Sequence, residues 1–153
     1  MIRHLHSLDE VTLSKSWITI GSFDGVHLGQ DDLPCNVARK IAPDIIIGVS
    51  THNQNEIINA ENDGATYVNI GPIFSTSTKE IQIKPLGLGY LKNAKINIPF
   101  SVMGGIKKDN IIKVLENGAK NIAMVTEITM SDDITKTTKE LVKIINNFLK
   151  YKK

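Results

Sequence analysis

From residue 44 onward, short apolar runs rich in β-branched residues alternate with longer amphipathic segments, and this alternation strongly constrains the fold. The runs "DIIIGVS", "TYVNIG", "PFSVMGG" and "NIAMV" are typical of strands, whereas "NQNEIINAEND" and "KDNIIKVLEN" have helical spacing. Strands are predicted near residues 45–49, 66–71, 98–103 and 120–125, with one or two more around 17–28. Because "IIIGV" is apolar on successive residues, we expect a parallel sheet that is covered on both faces.

Two joints in this pattern are alike. "AENDGATYVNI" and "LENGAKNIAMV" each close a helix with a glycine, Gly64 or Gly118, suited to the left-handed turn after a helix. The recurrence indicates a repeated βα unit in one α/β domain. Such units build an open doubly wound sheet or a closed (β/α)8 barrel. At 153 residues the chain is too short for a whole barrel, which normally needs over ~200 residues.

Composition narrows the class of protein. A net charge of +2 is too small to indicate a nucleic-acid or membrane partner. The opening "MIRHLHSLDE" lacks the apolar run of a signal peptide, and no stretch approaches ~18 uninterrupted apolar residues. A cytoplasmic protein is therefore predicted. The only cysteine, Cys35, excludes an internal disulfide and is expected to be a small packed residue.

Function in an α/β sheet gathers at the carboxyl ends of the strands. After strand 45–49 come Ser50 and Thr51, which could bind a polar ligand but are interpreted from the residues alone as a helix N-cap. After 66–71 comes the long polar loop "GPIFSTSTKEIQIKPLG". Its Thr76, Thr78 and Lys79 offer two hydroxyls and a cation, which suit phosphate oxygens, although a flexible polar turn is the alternative.

The last two predicted strands end in a second candidate for anion binding. "MGGIKKDN" places Gly105 before a helix, where backbone N–H groups can approach an anion. After the strand at 120–125, Val125 and Thr126 could supply a further N–H and a hydroxyl. The last two strand ends of a (β/α)8 barrel commonly form a phosphate site, and these are the last two strands that we predict.

The stretch "SFDGVHLGQDD" at residues 22–32 has two readings. It could end a barrel strand and provide an aspartate for a metal, or it could open the phosphate-binding turn of a nucleotidyltransferase. His4, His6 and His27 show no trustworthy metal-ligand spacing, and His27 is expected to be packed near a strand end.

Taken together, "DGVHLGQDDLP", "IIGVSTH", "DGATYVNIGPIFSTSTK", "IPFSVMGGI" and "NGAKNIAMVTEI" resemble the thiamine phosphate synthase family over roughly residues 24–148. The resemblance implies a partial (β/α)8 TIM barrel of about five βα units, equivalent to strands 4 to 8 of the family barrel without the first three. It also implies a Mg²⁺-assisted transferase that joins 4-amino-2-methyl-5-hydroxymethylpyrimidine diphosphate to thiazole phosphate. Thiamine phosphate and pyrophosphate are the products.

The same resemblance assigns roles by position. Asp32 matches the magnesium ligand. Ser50 matches the serine near the diphosphate and pyrimidine, and Lys79 matches the lysine that steadies the departing pyrophosphate. The remaining matches are contacts to the thiazole phosphate: Thr76, Thr78, Gly105, Val125 and Thr126. Glu127 has no counterpart among the small residues usual there.

Residues 1–23 depart from that family, whose Gln-x-Arg-x-Lys cluster and Asn-Asp pair they do not contain. Residues 1–29 instead resemble the opening of bifunctional riboflavin kinase/FAD synthetase, although Gln30 replaces the second histidine of its turn. We therefore interpret the chain as one domain, residues 1–153, with an atypical segment at 1–23. Flavin-nucleotide adenylylation is the weakest functional alternative.

The activity of the isolated chain stays open at this stage. The alternative to catalysis is a non-catalytic module that binds thiazole phosphate, regulatory or tautomerase-like. The implied ligands are small phosphorylated molecules. Because five strands cannot close a barrel, an exposed sheet edge favours a homo-oligomer or docking onto a complementing partial barrel.

Overall fold

The computed structural model describes residues 25–76 and 83–151, which form an α/β fold around one parallel sheet. The strands lie in the order β1-β2-β3-β4, and every neighbouring pair is parallel. The strands are β1 (Gly25–Leu28), β2 (Ile46–Thr51), β3 (Tyr67–Ile70) and β4 (Phe100–Val102). The helices are α1 (Cys35–Ile41), α2 (Gln54–Asn62), α3 (Gly87–Asn93), α4 (Ile111–Glu116), α5 (Thr126–Thr129) and α6 (Ile134–Tyr151).

The predictions of strands at 45–49, 66–71 and 98–103 are confirmed by β2, β3 and β4, and β1 lies within the predicted 17–28 region. Residues 1–24 lie outside the described part of the chain. The strand predicted at 120–125 is wrong, because this segment meets β4 only through an isolated parallel bridge between Val102 and Ile122. Val102 exchanges backbone hydrogen bonds with Asn121 and Ala123 at 3.0 and 2.9 Å. There is little strand to pair with, since β4 is only three residues long, and α5 begins at Thr126.

The sheet has one apolar face and one polar face. Side chains alternate along a strand, so Val68 and Ile70 of β3 point to the side opposite Tyr67 and Asn69. The apolar face is fully buried under the helices, with Ile47, Val68, Ile70 and Val102 from strands and Ile57, Ile111, Val114, Leu115 and Leu141 from helices. The expectation of a sheet covered on both faces is therefore wrong for the described residues. The expectation was based on the apolar run "IIIGV", in which Ile46 is in fact 46% exposed.

The turns that follow α2 and α4 have the predicted left-handed glycine. Gly64 after α2 and Gly118 after α4 have φ values of 86° and 103°, the left-handed region that favours glycine. Cys35 is buried, as predicted, and burial raises the pKa of its thiol.

The N-cap predicted at Ser50 and Thr51 is wrong. Asn53 caps α2 instead, and its side-chain oxygen accepts a hydrogen bond from the Glu56 N–H at 2.9 Å. β2 continues through Thr51, whose buried hydroxyl donates to the Asn69 carbonyl at 3.2 Å. Ser50 is thus the penultimate residue of β2, and its side chain lies on the polar face.

Arg39 of α1 holds the sheet's first two crossover connections together. Its guanidinium donates to the Gly64 carbonyl at 2.9 and 3.1 Å and to the Pro43 and Ile45 carbonyls at 2.7 and 2.6 Å. It also donates to the Thr66 hydroxyl at 3.1 Å, which in turn accepts from the backbone of β2. The planar guanidinium therefore donates to carbonyls of the loop before β2 and of the loop between α2 and β3.

Across the stretches 25–76 and 83–151, we find no helix with both the length and the apolar character needed to cross a bilayer.

Candidate functional site

The polar face of the sheet carries a row of three side chains near the carboxyl ends of the strands. Ser50 of β2 is in register with Asn69 of β3, which is in register with Ser101 of β4. All three are half-buried, and the Ser101 hydroxyl is hydrogen-bonded to Asn69 Oδ1. Partners in register on parallel strands point the same way, so these groups form one polar strip.

Ser50 is hydrogen-bonded by two residues of the stretch "DGVHLGQ", residues 24–30. His27 Nε2 lies 2.9 Å from Ser50 Oγ, and the Gln30 side-chain amide donates to the Ser50 carbonyl at 2.6 Å. The second ring nitrogen of His27, Nδ1, lies 3.3 Å from the Tyr67 hydroxyl. His27 is exposed on this face, so the expectation that it would be packed is wrong.

Gly48 makes the contact between His27 and Tyr67 possible. It lies between them in register, paired with His27 on one side and Tyr67 on the other. A Cβ at Gly48 would overlap the Tyr67 ring and come within 2.7 Å of His27 Nδ1. The space left by the missing side chain is therefore occupied by the two aromatic rings, whose centroids are 6.0 Å apart.

The loop after β3 is fastened to the Gly-Gly turn after β4. The Ile73 and Phe74 N–H groups donate to the carbonyls of Met103 and Gly104 at 2.9 and 3.0 Å. Gly105 has φ 62°, and a Cβ there would approach the Ser75 carbonyl oxygen to 2.5 Å. Only glycine allows this close packing of the two turns. Thr76 is the next residue of the loop and is exposed, while Thr78 and Lys79 lie outside the described residues.

Glu127 ties the Gly-Gly turn after β4 to α5. Its carboxylate accepts a hydrogen bond from the Lys108 N–H at 3.1 Å. Asn110 steadies the same turn, because its amide donates to the Gly105 carbonyl at 3.0 Å and accepts from the Lys107 N–H at 2.8 Å. Glu127, for which the sequence provided no role, thus holds α5 against the turn that carries Gly105.

Val125 and Thr126 lie where α5 begins. The Val125 carbonyl accepts from the N–H groups of Ile128 and Thr129 at 3.0 and 2.9 Å, and its side chain is 56% exposed. Thr126 is the first helical residue and is half-buried. The hydrogen bond between the Lys108 N–H and Glu127 joins the start of α5 to the turn that carries Gly105.

Asp32 follows β1 and is exposed. One oxygen of its carboxylate accepts a hydrogen bond from the Gly29 N–H at 2.6 Å, which orients the group. Within residues 25–76 and 83–151, no three His, Cys, Asp or Glu side chains come together as a metal cage. A lone hard carboxylate fits a Mg²⁺ ion whose other ligands are phosphate oxygens and water, not an all-protein site.

The model of the family described as thiamine monophosphate synthase matches residues 16–128. The chain belongs to this family. Thiamine-phosphate synthase of Caldicellulosiruptor bescii is 47% identical over 128 residues, which are 82% of this chain and 58% of that relative. The synthase of Dictyoglomus thermophilum is 44% identical over 143 residues, 92% of this chain and 62% of the relative. The chain thus spans about three-fifths of these family members.

Solved structures agree on the fold. The thiamine phosphate pyrophosphorylase of Pyrococcus furiosus superposes with a TM-score of 0.75 at 38% identity, over 82% of this chain and 61% of that chain. A 3-hexulose-6-phosphate synthase, with a TM-score of 0.58 at 23% identity, shows a likeness of fold alone. The family relationship confirms the partial TIM-barrel fold predicted for the synthase-like region. No comparison bears on the resemblance of residues 1–29 to FAD synthetase, which stays a prediction.

Sequence reasoning missed five residues of the polar face. Neither His27 nor Gln30 was expected to support Ser50, and Tyr67, Asn69 and Ser101 were assigned only to strands. The available signal was the alternation in "YVNI", where polar and apolar side chains take turns. That alternation indicates a half-covered strand, which the apolar runs elsewhere obscured.

Proposed function

We propose that this chain forms the carboxyl-terminal part of a thiamine phosphate synthase site. The proposed reaction joins 4-amino-2-methyl-5-hydroxymethylpyrimidine diphosphate to thiazole phosphate and releases pyrophosphate. Membership of the family supports the reaction class. The chain spans about three-fifths of the length of these relatives, so the complete synthase activity is proposed for it on the basis of family membership.

The observation that carries the proposal is the convergence of four segments at one edge of the sheet. Ser50 lies at the end of β2, and the loop after β3 is hydrogen-bonded to the Gly104 turn. Glu127 then joins that turn to the end of the chain segment bridged to β4. A phosphorylated ligand at this edge would meet hydroxyl groups and backbone N–H groups from several neighbouring segments.

We assign the thiazole phosphate to the side of the site formed by Thr76, Gly105, Val125 and Thr126. The close contact between Gly105 and the loop before Thr76 supports this assignment. Backbone N–H groups and hydroxyls hold phosphate oxygens without requiring a full positive charge. We propose that Thr78 makes a further contact to the thiazole phosphate. Lys79 is proposed as the cation beside the departing pyrophosphate.

We assign the pyrimidine diphosphate to the side formed by Ser50 and Asp32. Ser50 would donate a hydrogen bond to the ligand. Asp32 would hold Mg²⁺, which when bound supplies charge neutralisation for the diphosphate and the leaving pyrophosphate. Its carboxylate is already oriented by Gly29, so one oxygen is fixed and the group stays accessible.

We also propose that another partial barrel, in a second copy or another chain, covers the polar face of the sheet. Among the described residues β1 pairs with β2 alone, and His27 on the polar face is exposed. Light scattering after size-exclusion chromatography tests the self-associating form, and a monomer at all concentrations contradicts it.

The proposed function is tested by calorimetry and by a coupling assay. We expect the purified chain to bind thiazole phosphate, and we expect Mg²⁺-dependent release of pyrophosphate when both substrates are present. A version lengthened with the three amino-terminal strands of a relative should release pyrophosphate faster. Binding of thiazole phosphate without any coupling in either version supports the non-catalytic module instead, and binding of neither substrate refutes the assignment.

Ser50→Ala separates the two halves of the site. This change should weaken binding of the pyrimidine diphosphate by about tenfold, the effect of one lost hydrogen bond to a charged ligand, and leave thiazole phosphate binding unchanged. Asn36→Ala is the matched control, because Asn36 is exposed on α1. Equal losses for both ligands in Ser50→Ala would contradict the division of the site.

A further inference from the structure

Ser50 is the end of a chain of side-chain contacts that crosses three strands. From Tyr67 on β3 the contacts lead to His27 on β1, with 3.3 Å between the Tyr67 hydroxyl and Nδ1. From His27 they lead to Ser50 on β2, with 2.9 Å between Nε2 and Oγ. The three residues therefore have fixed neighbours on the polar face, and both ring nitrogens of the imidazole take part.

A neutral imidazole carries its proton on only one of its two nitrogens. The two hydrogen bonds of His27 therefore run in one direction, either from Tyr67 towards Ser50 or from Ser50 towards Tyr67. If Nε2 carries the proton, it donates to Ser50 Oγ, and Nδ1 accepts the hydrogen of the Tyr67 hydroxyl. If Nδ1 carries the proton, Ser50 must donate its own hydrogen to Nε2. The two tautomers thus differ in whether the hydroxyl hydrogen of Ser50 is left for a ligand.

We propose that Tyr67 and His27 are positioning residues that hold the imidazole as the Nε2–H tautomer, so that Ser50 donates its hydroxyl hydrogen to an oxygen of the bound diphosphate. This inference rests on the proposed function for the identity of the ligand. An anionic diphosphate can only accept hydrogen bonds, so a serine whose hydrogen is engaged elsewhere would turn a lone pair towards it.

Two further contacts hold these side chains in place. Gly48 leaves the space in which Tyr67 reaches His27, since a Cβ there would come within 2.7 Å of Nδ1. Gln30 donates to the Ser50 carbonyl at 2.6 Å and so fixes the backbone from which the hydroxyl projects. A rotamer held at both the backbone and the side chain loses little freedom on binding a ligand.

The tautomer itself is the first test and needs no substrate. Long-range ¹H–¹⁵N correlation spectra of the labelled chain, recorded where the imidazole is neutral, should show His27 protonated at Nε2. The signal is assigned by its absence in His27→Gln. Tyr67→Phe should reduce the Nε2–H preference, whereas Tyr151→Phe, a change at an 82% exposed tyrosine on α6, should not. A dominant Nδ1–H tautomer in the unaltered chain, or no response to Tyr67→Phe, overturns the inference.

The second test is affinity for the pyrimidine diphosphate. His27→Ala should weaken it about tenfold, and His27→Gln should restore much of it, because a glutamine amide can donate to Ser50 from nearly the position of Nε2. In the double variant with Ser50→Ala the two losses should not add, because the residues act as one unit. Additive losses overturn the inference. If the unaltered chain does not bind this diphosphate, the proposed function fails, and the spectra still decide the tautomer.

Discussion

The Glu127 carboxylate accepts a hydrogen bond from the Lys108 N–H at 3.1 Å and so joins two turns that follow neighbouring segments of the fold. One turn carries Gly105, and the other begins α5 at Thr126. The contact joins a backbone N–H to a side chain 19 residues further along the sequence. It makes the geometry of the proposed phosphate site depend on one acidic side chain.

Glu127→Ala should therefore weaken binding of thiazole phosphate. Loss of one hydrogen bond to a charged group predicts an effect of about fivefold, or about 1 kcal/mol, measured by calorimetry. Glu140→Ala is the matched control, because Glu140 pairs with the Lys108 ammonium at 2.5 Å on an exposed surface and does not contact the backbone of the turn. An equal effect of both changes would mean that charge near Lys108, not the tie to α5, sets the affinity.

Gly105→Ala should remove thiazole phosphate binding and lower the free energy of unfolding by about 2 kcal/mol. A side chain at this position meets both a φ of 62° and the Ser75 carbonyl oxygen at 2.5 Å. Gly89→Ala tests the same change in α3, where nothing lies within 4 Å of the added Cβ. That control should be neutral or slightly stabilising, since alanine favours a helix. Urea unfolding measures both variants, and an unaffected Gly105→Ala contradicts the close packing described here.

Arg39→Ala should lower the free energy of unfolding by about 3 kcal/mol, because it leaves several carbonyls in the loops around β2 without their donor. Arg39→Lys keeps the charge but cannot reach all of these oxygens, so it should recover less than half of the loss. Lys40→Ala, at an exposed position on the same helix, should change stability by less than about 0.5 kcal/mol. Similar urea midpoints for Arg39→Ala and Lys40→Ala would show that the guanidinium contacts contribute little.

Glu61 should make the stability of the fold depend on pH. The Asn97 N–H and side-chain amide donate to its carboxylate at 2.7 and 2.9 Å, and these bonds lower the pKa of Glu61. The ionised form is therefore favoured in the folded state. Its stabilising effect is fully present above the unfolded pKa of about 4.3 and is lost as the pH falls through the lower folded-state pKa.

Glu61→Gln tests this by comparison of urea midpoints at pH 7 and near pH 3. The difference in urea midpoint between the variant and the unaltered chain should be smaller at the lower pH. Asp44→Asn controls for the loss of one negative charge at an exposed site. A gap that is the same at both pH values would contradict the assigned ionisation.

The βα order of this chain follows from sequence because it rests on local periodicity. The central strands and the left-handed turns at Gly64 and Gly118 are of this kind. The error at residues 120–125 has a different origin, because strand formation there depends on how much of β4 is available to pair with. Periodicity within a segment carries no information about the length of its neighbour.

The site divides in the same way. Family motifs identified Ser50 and Gly105 as candidates; Ser50 is the penultimate residue of β2, and Gly105 lies in the turn after β4. The contacts that position them join residues far apart in sequence, such as His27 with Ser50 and Lys108 with Glu127. The N-cap error shows the same limit, because Thr51 and Asn53 are both good capping residues and only the extent of β2 decides between them.

The main apolar layer of this fold lies between the sheet and its outer helices, and it runs from Leu28 to Leu141 without requiring the sheet to close into a cylinder. A sector of a barrel can consequently retain its own hydrophobic interior while its lumen side stays hydrophilic. A boundary between two strands of such a sector cuts across its polar face and leaves intact the apolar layer between the sheet and the helices.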